Sequence, residues 1–233
     1  MAEDTPTAKR VTAVSPTAAR LSFAAAATFV VLLAALHFIK PSLDPSWHFI
    51  SEYAIGDFGW IMVLAFSSLA LSFVTLFVAI RSQLPTIVGR IGLTLLLVSA
   101  LGLTIAAIFT TDPITVSENA VTTEGTLHNL GGTLGIAMPF AAALIGWKLA
   151  RNPGWSSAKQ PLFWATGLAL VAFVVSCVSL GVMVSQNDGK FGPEVLVGWP
   201  NRFEILAYSV WLMTVAWQAV KFRAEVQDLR VFN

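Results

Sequence analysis

The residues able to do chemistry in this chain gather in three stretches. The first holds His37 and Lys40, then Asp44-Pro45, Trp47-His48-Phe49-Ile50-Ser51-Glu52-Tyr53, and Asp57-Phe58-Gly59-Trp60. On a helix, His48, Ser51 and Glu52 stand at i, i+3 and i+4 and share one face, so a hydroxyl, an imidazole and a carboxylate could exchange a proton there. The second stretch holds Asp112-Pro113 and then Thr123-Glu124-Gly125-Thr126-Leu127-His128, where Glu124 and His128 are again four apart. The third is Gly198-Trp199-Pro200-Asn201-Arg202-Phe203-Glu204, in which Arg202 could hold a phosphate or neutralise Glu52, Asp112 or Glu204.

Two kinds of chemistry fit these types. A metal-assisted hydrolase needs about three His or carboxylate ligands and an open position for water. His48, Asp112 and His128 could be the ligands, with Ser51 or Glu52 handling a proton. The chain has no His-xxx-His pair, since its three histidines are His37, His48 and His128. The plainer reading is that Ser51, Glu52, Asp112, His128, Arg202 and His48 pair with one another and cap helix ends. Polar groups at a membrane boundary cost far less than the ~2.5–3.5 kcal/mol of a charge at the bilayer centre. The sequence requires no cofactor.

The elements that must position these residues follow from composition. Of 233 residues, 56% are hydrophobic and 12% charged, with mean hydropathy +0.73. A soluble domain carries about 25% charged residues, so much of this surface faces something other than water. A net charge of +1 speaks against a nucleic-acid partner. Cys177 is the single cysteine and can form no internal disulfide.

The apolar residues fall into six stretches free of Asp, Glu, Lys and Arg: Leu21–Ile39, Trp60–Ile80, Ile91–Phe109, Leu130–Trp147, Leu162–Val184 and Ile205–Val220. A bilayer span needs about 17–25 such residues, and only a helix satisfies its own backbone in lipid. The reading is an all-α bundle of six transmembrane helices. The first stretch exceeds the ~7–15 residues of a signal-peptide core, and Lys40-Pro41 follows it where small cleavage-site residues belong.

Alternating the connections between the two sides puts Lys9, Arg10, Arg20, Arg81, Arg90, Lys148, Arg151, Lys159, Lys221, Arg223 and Arg230 on one side. Lys40, Lys190 and Arg202 fall on the other. The basic side is expected to be cytoplasmic, with both termini inside, in a cell (inner or plasma) membrane. The clusters above then lie in outward loops at 40–59, 110–127 and 185–203.

Residues 1–20 are expected to form a flexible cytoplasmic tail, 21–222 the membrane domain and 223–233 a short C-terminal tail. Asp44-Pro45 reads as an N-cap and first position of a short interfacial helix over Pro45–Tyr53, with Trp47, Tyr53 and Trp60 at headgroup level. Thr123 is the expected N-cap of the fourth span, which Pro139 would kink. Gly131, Gly132 and Gly135 on that span, and Gly167, Ser176 and Ser179 on the fifth, are the small residues expected at helix contacts, or at contacts with membrane-protein partners.

Ile50-Ser51-Glu52-Tyr53-Ala54 followed by Gly59-Trp60 resembles the signature of the bacterial six-span proteins grouped as DUF998. Asp112-Pro113, Gly125 and His128, and Gly198 with Arg202 follow in that family's order, so the resemblance covers about residues 20–222. That family resembles, more distantly, the Frag1/DRAM/Sfk1 membrane proteins, some connected with lipid remodelling. The resemblance implies the six-span fold and a lipid-related role, without an activity.

Three function classes remain: a lipid-associated protein with an outward polar site, an accessory or scaffold subunit of a larger membrane complex, and the metal-assisted lipid hydrolase. An ion-coupled transporter fits less well, because no ionisable residue falls within the six stretches.

Overall fold

The computed structural model describes residues 14–231, with side chains described as far as residue 222. It is helical throughout: α1 Pro16–Ile39, α2 Gly59–Ile80, α3 Ile87–Ile108, α4 Thr123–Gly135, α5 Ala137–Ala150, α6 Lys159–Gln186 and α7 Gly198–Val231. Taken with the broken pair α4–α5 as one span, six helices are long and apolar enough to cross a bilayer. Long connections at 40–58, 109–122 and 187–197 lie at one end of the bundle, hereafter the long-loop end. Short connections at 81–86 and 151–158 lie at the other.

Helix starts follow local chemistry. Ser15 caps α1 by accepting from the Ala18 N–H, and Pro16 needs no partner at the first position. Residues 16–20, expected in the tail, are therefore the first turn of α1, and residues 1–13 of that expected tail lie outside the described residues. At the far end α7 continues to Val231, so the backbone of the expected C-terminal tail is helical up to there. Thr122, one residue before the expected Thr123, caps α4 by accepting from Gly125 N–H at 2.9 Å. The fourth span breaks at Ile136. Pro139 has no N–H to give to the Gly135 carbonyl, and its ring crowds that carbonyl.

The helices form a closed ring. Each span packs on the next, with α4 and α5 both against α3; α7 returns to α1, and α2 also reaches α7. Phe29, Leu36, Met62, Leu69, Leu96, Ile145, Trp211 and Leu212 form the shared core. Polar pairs add direction: Ser22 and Ser72 each donate to the other's carbonyl, at 2.9 and 2.8 Å, between α1 and α2. Trp211 Nε1 donates to Thr166 Oγ1 at 3.1 Å between α7 and α6. At the short-connection end, Trp155 is buried, stacks on Phe222 at 5.5 Å and donates to Gln83 Oε1 at 3.3 Å.

Small residues decide how closely helices approach, but not all those expected to. A Cβ on Gly131 would meet the Gly102 carbonyl oxygen and the Ala106 nitrogen, and one on Gly102 would meet the Gly131 carbonyl oxygen. This glycine-to-glycine contact lets α3 and α4 touch backbone to backbone. Gly132, Gly135 and Gly167 face open space instead. On α6 the buried residues Leu162, Ala165, Ala169 and Ala172 lie on the face that Ser176 and Ser179 continue at the same three- and four-residue steps, whereas Gly167 lies off it. Beyond Ala172 the helix leaves the bundle half-exposed.

Candidate functional site

The first long loop folds into the bundle rather than lying flat on it. Asp44 Oδ1 accepts from Ser46 N–H at 2.9 Å, and its own carbonyl accepts from His48 N–H at 3.2 Å. Asp44-Pro45 therefore makes a tight turn in place of the expected helix start, because the carboxylate satisfies the nearest amide. The loop's one helix is a 3-10 segment, Ile50–Ala54, shorter than the expected Pro45–Tyr53. Ile50, Glu52 and Tyr53 point inward and are buried.

Glu52 is the organising anion. Its Oε2 accepts from the Phe49 N–H at 3.0 Å and from the His48 ring at 2.9 Å, which is the i, i+4 pair expected from sequence. Its Oε1 accepts from the Ile114 N–H at 2.9 Å, tying the first long loop to the second. Arg202 is the organising cation. It gives Nε–H to His37 Nε2 at 2.9 Å, Nη1–H to the carbonyls of His48 at 2.7 Å and Gly198 at 3.1 Å, and Nη2–H to the Tyr53 hydroxyl at 3.3 Å. The expected pairing of Arg202 with Glu52, Asp112 or Glu204 does not occur: among the described residues its partners are a neutral imidazole, a phenol and carbonyl oxygens. A guanidinium fork suits this, since its donors diverge toward acceptors that no single carboxylate could supply. His37 Nδ1 bonds the Leu33 carbonyl at 2.8 Å, so Nε2 is left as an acceptor.

Glu52 at 2% and Arg202 at 4% exposure are interior groups, so this network is a sealed plug and not an open pocket. His48 links its two charges, its ring on Glu52 and its carbonyl on Arg202. Gly198 is required below it, because a Cβ there would meet the carbonyls of Pro45 and His48. At the plug's edge Lys40 donates to the carbonyls of Tyr53 and Ile55. Burial holds its amine below the ordinary lysine range, with Asp57 opposing the shift.

The remaining expected site residues sit elsewhere. Asp112 accepts from the Thr122 N–H at 2.8 Å and the Thr122 hydroxyl at 2.9 Å, and so clamps the start of α4. His128 is buried and bonds the Phe109 carbonyl through Nδ1 at 2.8 Å, while Glu124 is exposed and forms no pair with it. Among the described residues no three His, Cys, Asp or Glu side chains come together as a metal-binding group. His48, Asp112 and His128 are therefore not brought into one ligand set.

Beneath the plug lies a cavity of about 380 Å³, within the ~300–1,000 Å³ range of small-molecule sites. Phe49, Ile50 and Ser51 roof it, and the Ile50 N–H donates to Asn201 Oδ1 at 3.1 Å to hold that roof on α7. Its walls are α2, α3, α4, α6 and α7, with Met138 of α5 at the bottom. Helix direction places His128, Asn129, Asn201 and Glu204 toward the long-loop end, and Phe73, Met138 and Phe173 deeper. α4 packs on α3 while α6 packs on α5 and α7, so α4 and α6 do not close on one another, and the exposed Gly132, Ile136, Cys177 and Leu180 border the gap.

The pairing of Glu204 with Tyr208 is what the sequence reading missed here, since it names Glu204 only as a partner for Arg202. Tyr208 donates its hydroxyl to Glu204 Oε1 at 2.7 Å, and Ser176 of α6 bonds the same carboxylate. The signal was their i, i+4 spacing. It was obscured by treating the last span as beginning at Ile205, whereas α7 starts at Gly198 and carries Arg202 and Glu204 within it.

A family model described as a protein of unknown function (DUF998) matches residues 23–218. No curated protein and no solved structure matches the chain.

Proposed function

Since the chain belongs to the DUF998 family of proteins of unknown function, which brings no activity with it, we propose from the geometry that it binds a membrane amphiphile in the cavity below the plug. The observation that carries this is the gap between α4 and α6. A pocket bordered by exposed Gly132, Ile136, Cys177 and Leu180 at membrane depth is reached from lipid. Its deep wall of Phe73, Met138 and Phe173 suits a hydrocarbon chain, and the polar groups near the roof suit a headgroup. The basic residues beside the short connections, Arg81, Arg90, Lys148, Arg151 and Lys159, support a cytoplasmic position for that end by the positive-inside rule, and we accordingly assign the cavity to the outer half of a cell membrane. In this proposal the plug holds the roof over a binding cavity.

The test exploits Gly132, where a Cβ meets nothing and a larger side chain has room to enter the cavity. Protein purified from membranes is extracted and its lipids quantified by mass spectrometry. The parent retains a lipid class in near-stoichiometric amount, and Gly132→Phe loses it at unchanged melting temperature. Equal retention by both proteins sinks the proposal and leaves the accessory-subunit reading, in which the exposed half of α6 meets another protein.

A further inference from the structure

We infer that the amphiphile taken by this cavity carries a cationic, ammonium-type headgroup, held by Glu204; this rests on the binding reading above and narrows it. Among the described residues no lysine or arginine lines the cavity. Glu204 is its one carboxylate, and Tyr208 and Ser176 both bond to it. A carboxylate has about four acceptor positions, so these two bonds leave room for further donors from the cavity.

The nearest cation in sequence is not available to fill that role. Arg202 spends its Nε, Nη1 and Nη2 donors on His37, His48, Gly198 and Tyr53, and it forms no ion pair with Glu204. His128 uses Nδ1 on the Phe109 carbonyl. A carboxylate withdrawn from water without a cation is costly, and an incoming ammonium supplies the missing charge together with up to about three N–H donors. The aromatic rings of Phe66 on α2 and Tyr208 on α7, which line the same cavity, favour a cation further. The same arrangement works against phosphate-terminated or carboxylate amphiphiles: they would meet Glu204 with like charge and find no free guanidinium. Lipid-derived and foreign amines share this chemistry and both fit the assignment.

The experiment measures equilibrium binding of a long-chain primary alkylamine to the protein in nanodiscs of zwitterionic lipid. The alcohol and the carboxylate of equal chain length serve as comparisons, and Gly132→Phe defines the background of each probe. The parent is expected to bind the amine about 10–100-fold more tightly than the alcohol, the worth of one charge-assisted contact, and the carboxylate least. Glu204→Gln removes that preference and keeps alcohol binding. Ser176→Lys, which leaves Glu204 in place and tethers an ammonium beside it, does the same, so the result does not depend on one variant folding. If amine and alcohol bind alike above background, or the preference survives both substitutions, the headgroup inference is overturned while the binding reading stands. If no probe exceeds the Gly132→Phe background, both fail.

Discussion

Arg202 of α7 donates its Nε–H to His37 Nε2 of α1 across 2.9 Å, joining the last helix of the ring to the first. The two residues are far apart in sequence, and neither contacts a carboxylate directly. Their bond closes the bundle at the end where the loops are longest.

Arg202→Met is expected to lower stability by about 3–5 kcal/mol, because it strands acceptors on His37, His48, Gly198 and Tyr53 inside the plug. His37→Phe should cost less, about 1–3 kcal/mol, by leaving one guanidinium N–H unmet. The double variant should fall short of the sum by ~0.5–3 kcal/mol. Thermal unfolding in one detergent measures all three, and strict additivity would show that the bond carries no coupling.

Neighbouring glycines on α4 should respond with opposite signs. Gly131→Ala drives a methyl into the α3 backbone at Gly102 and Ala106, which cannot yield as a side chain would, and is expected to cost about 1–3 kcal/mol. Gly132→Ala and Gly135→Ala meet open space and should stabilise by ~0.5–1 kcal/mol through helix propensity. Melting temperatures of the three variants decide it. The same sign for all would refute the close α3–α4 contact.

Trp155 anchors the short-connection end. Trp155→Ala should cost ~3–5 kcal/mol by emptying the space against Phe222. Gln83→Leu should cost about 1–3 kcal/mol, since it removes the acceptor shared by Trp155 Nε1 and the Asn152 amide. Neither should change amphiphile binding, because neither residue lines the cavity. A binding defect in Trp155→Phe at normal melting temperature would contradict that separation.

Orientation is tested by labelling in a Cys177→Ala background, needed because Cys177 is exposed. A cysteine at Asp188 or Lys190 is expected to react with an impermeant thiol reagent from outside intact cells, and one at Lys159 only after lysis. The reverse pattern would invert the protein in the membrane and place the cavity in the inner half.

The sequence by itself determined the helices and little of their company. Run length and missing charge marked the six spans, Pro139 marked the break before α5, and four-residue spacing marked the His48–Glu52 pair; each is a property of one segment's own backbone. What faces what was settled only in three dimensions. In water, a helix announces its buried face by amphipathicity, but in lipid both the packed face and the lipid face are apolar. Nothing along α6 therefore distinguished Leu162, Ala165, Ala169 and Ala172 from the face carrying Gly167, and nothing along α4 distinguished Gly131 from Gly132. The polar residues were legible as a set, yet their pairing depended on which loop folded over which helix. That is why Arg202 meets His37 and Tyr53 instead of a carboxylate, Asp112 clamps Thr122, and Glu204 is left with Tyr208 and Ser176 in a cavity that no single segment encodes.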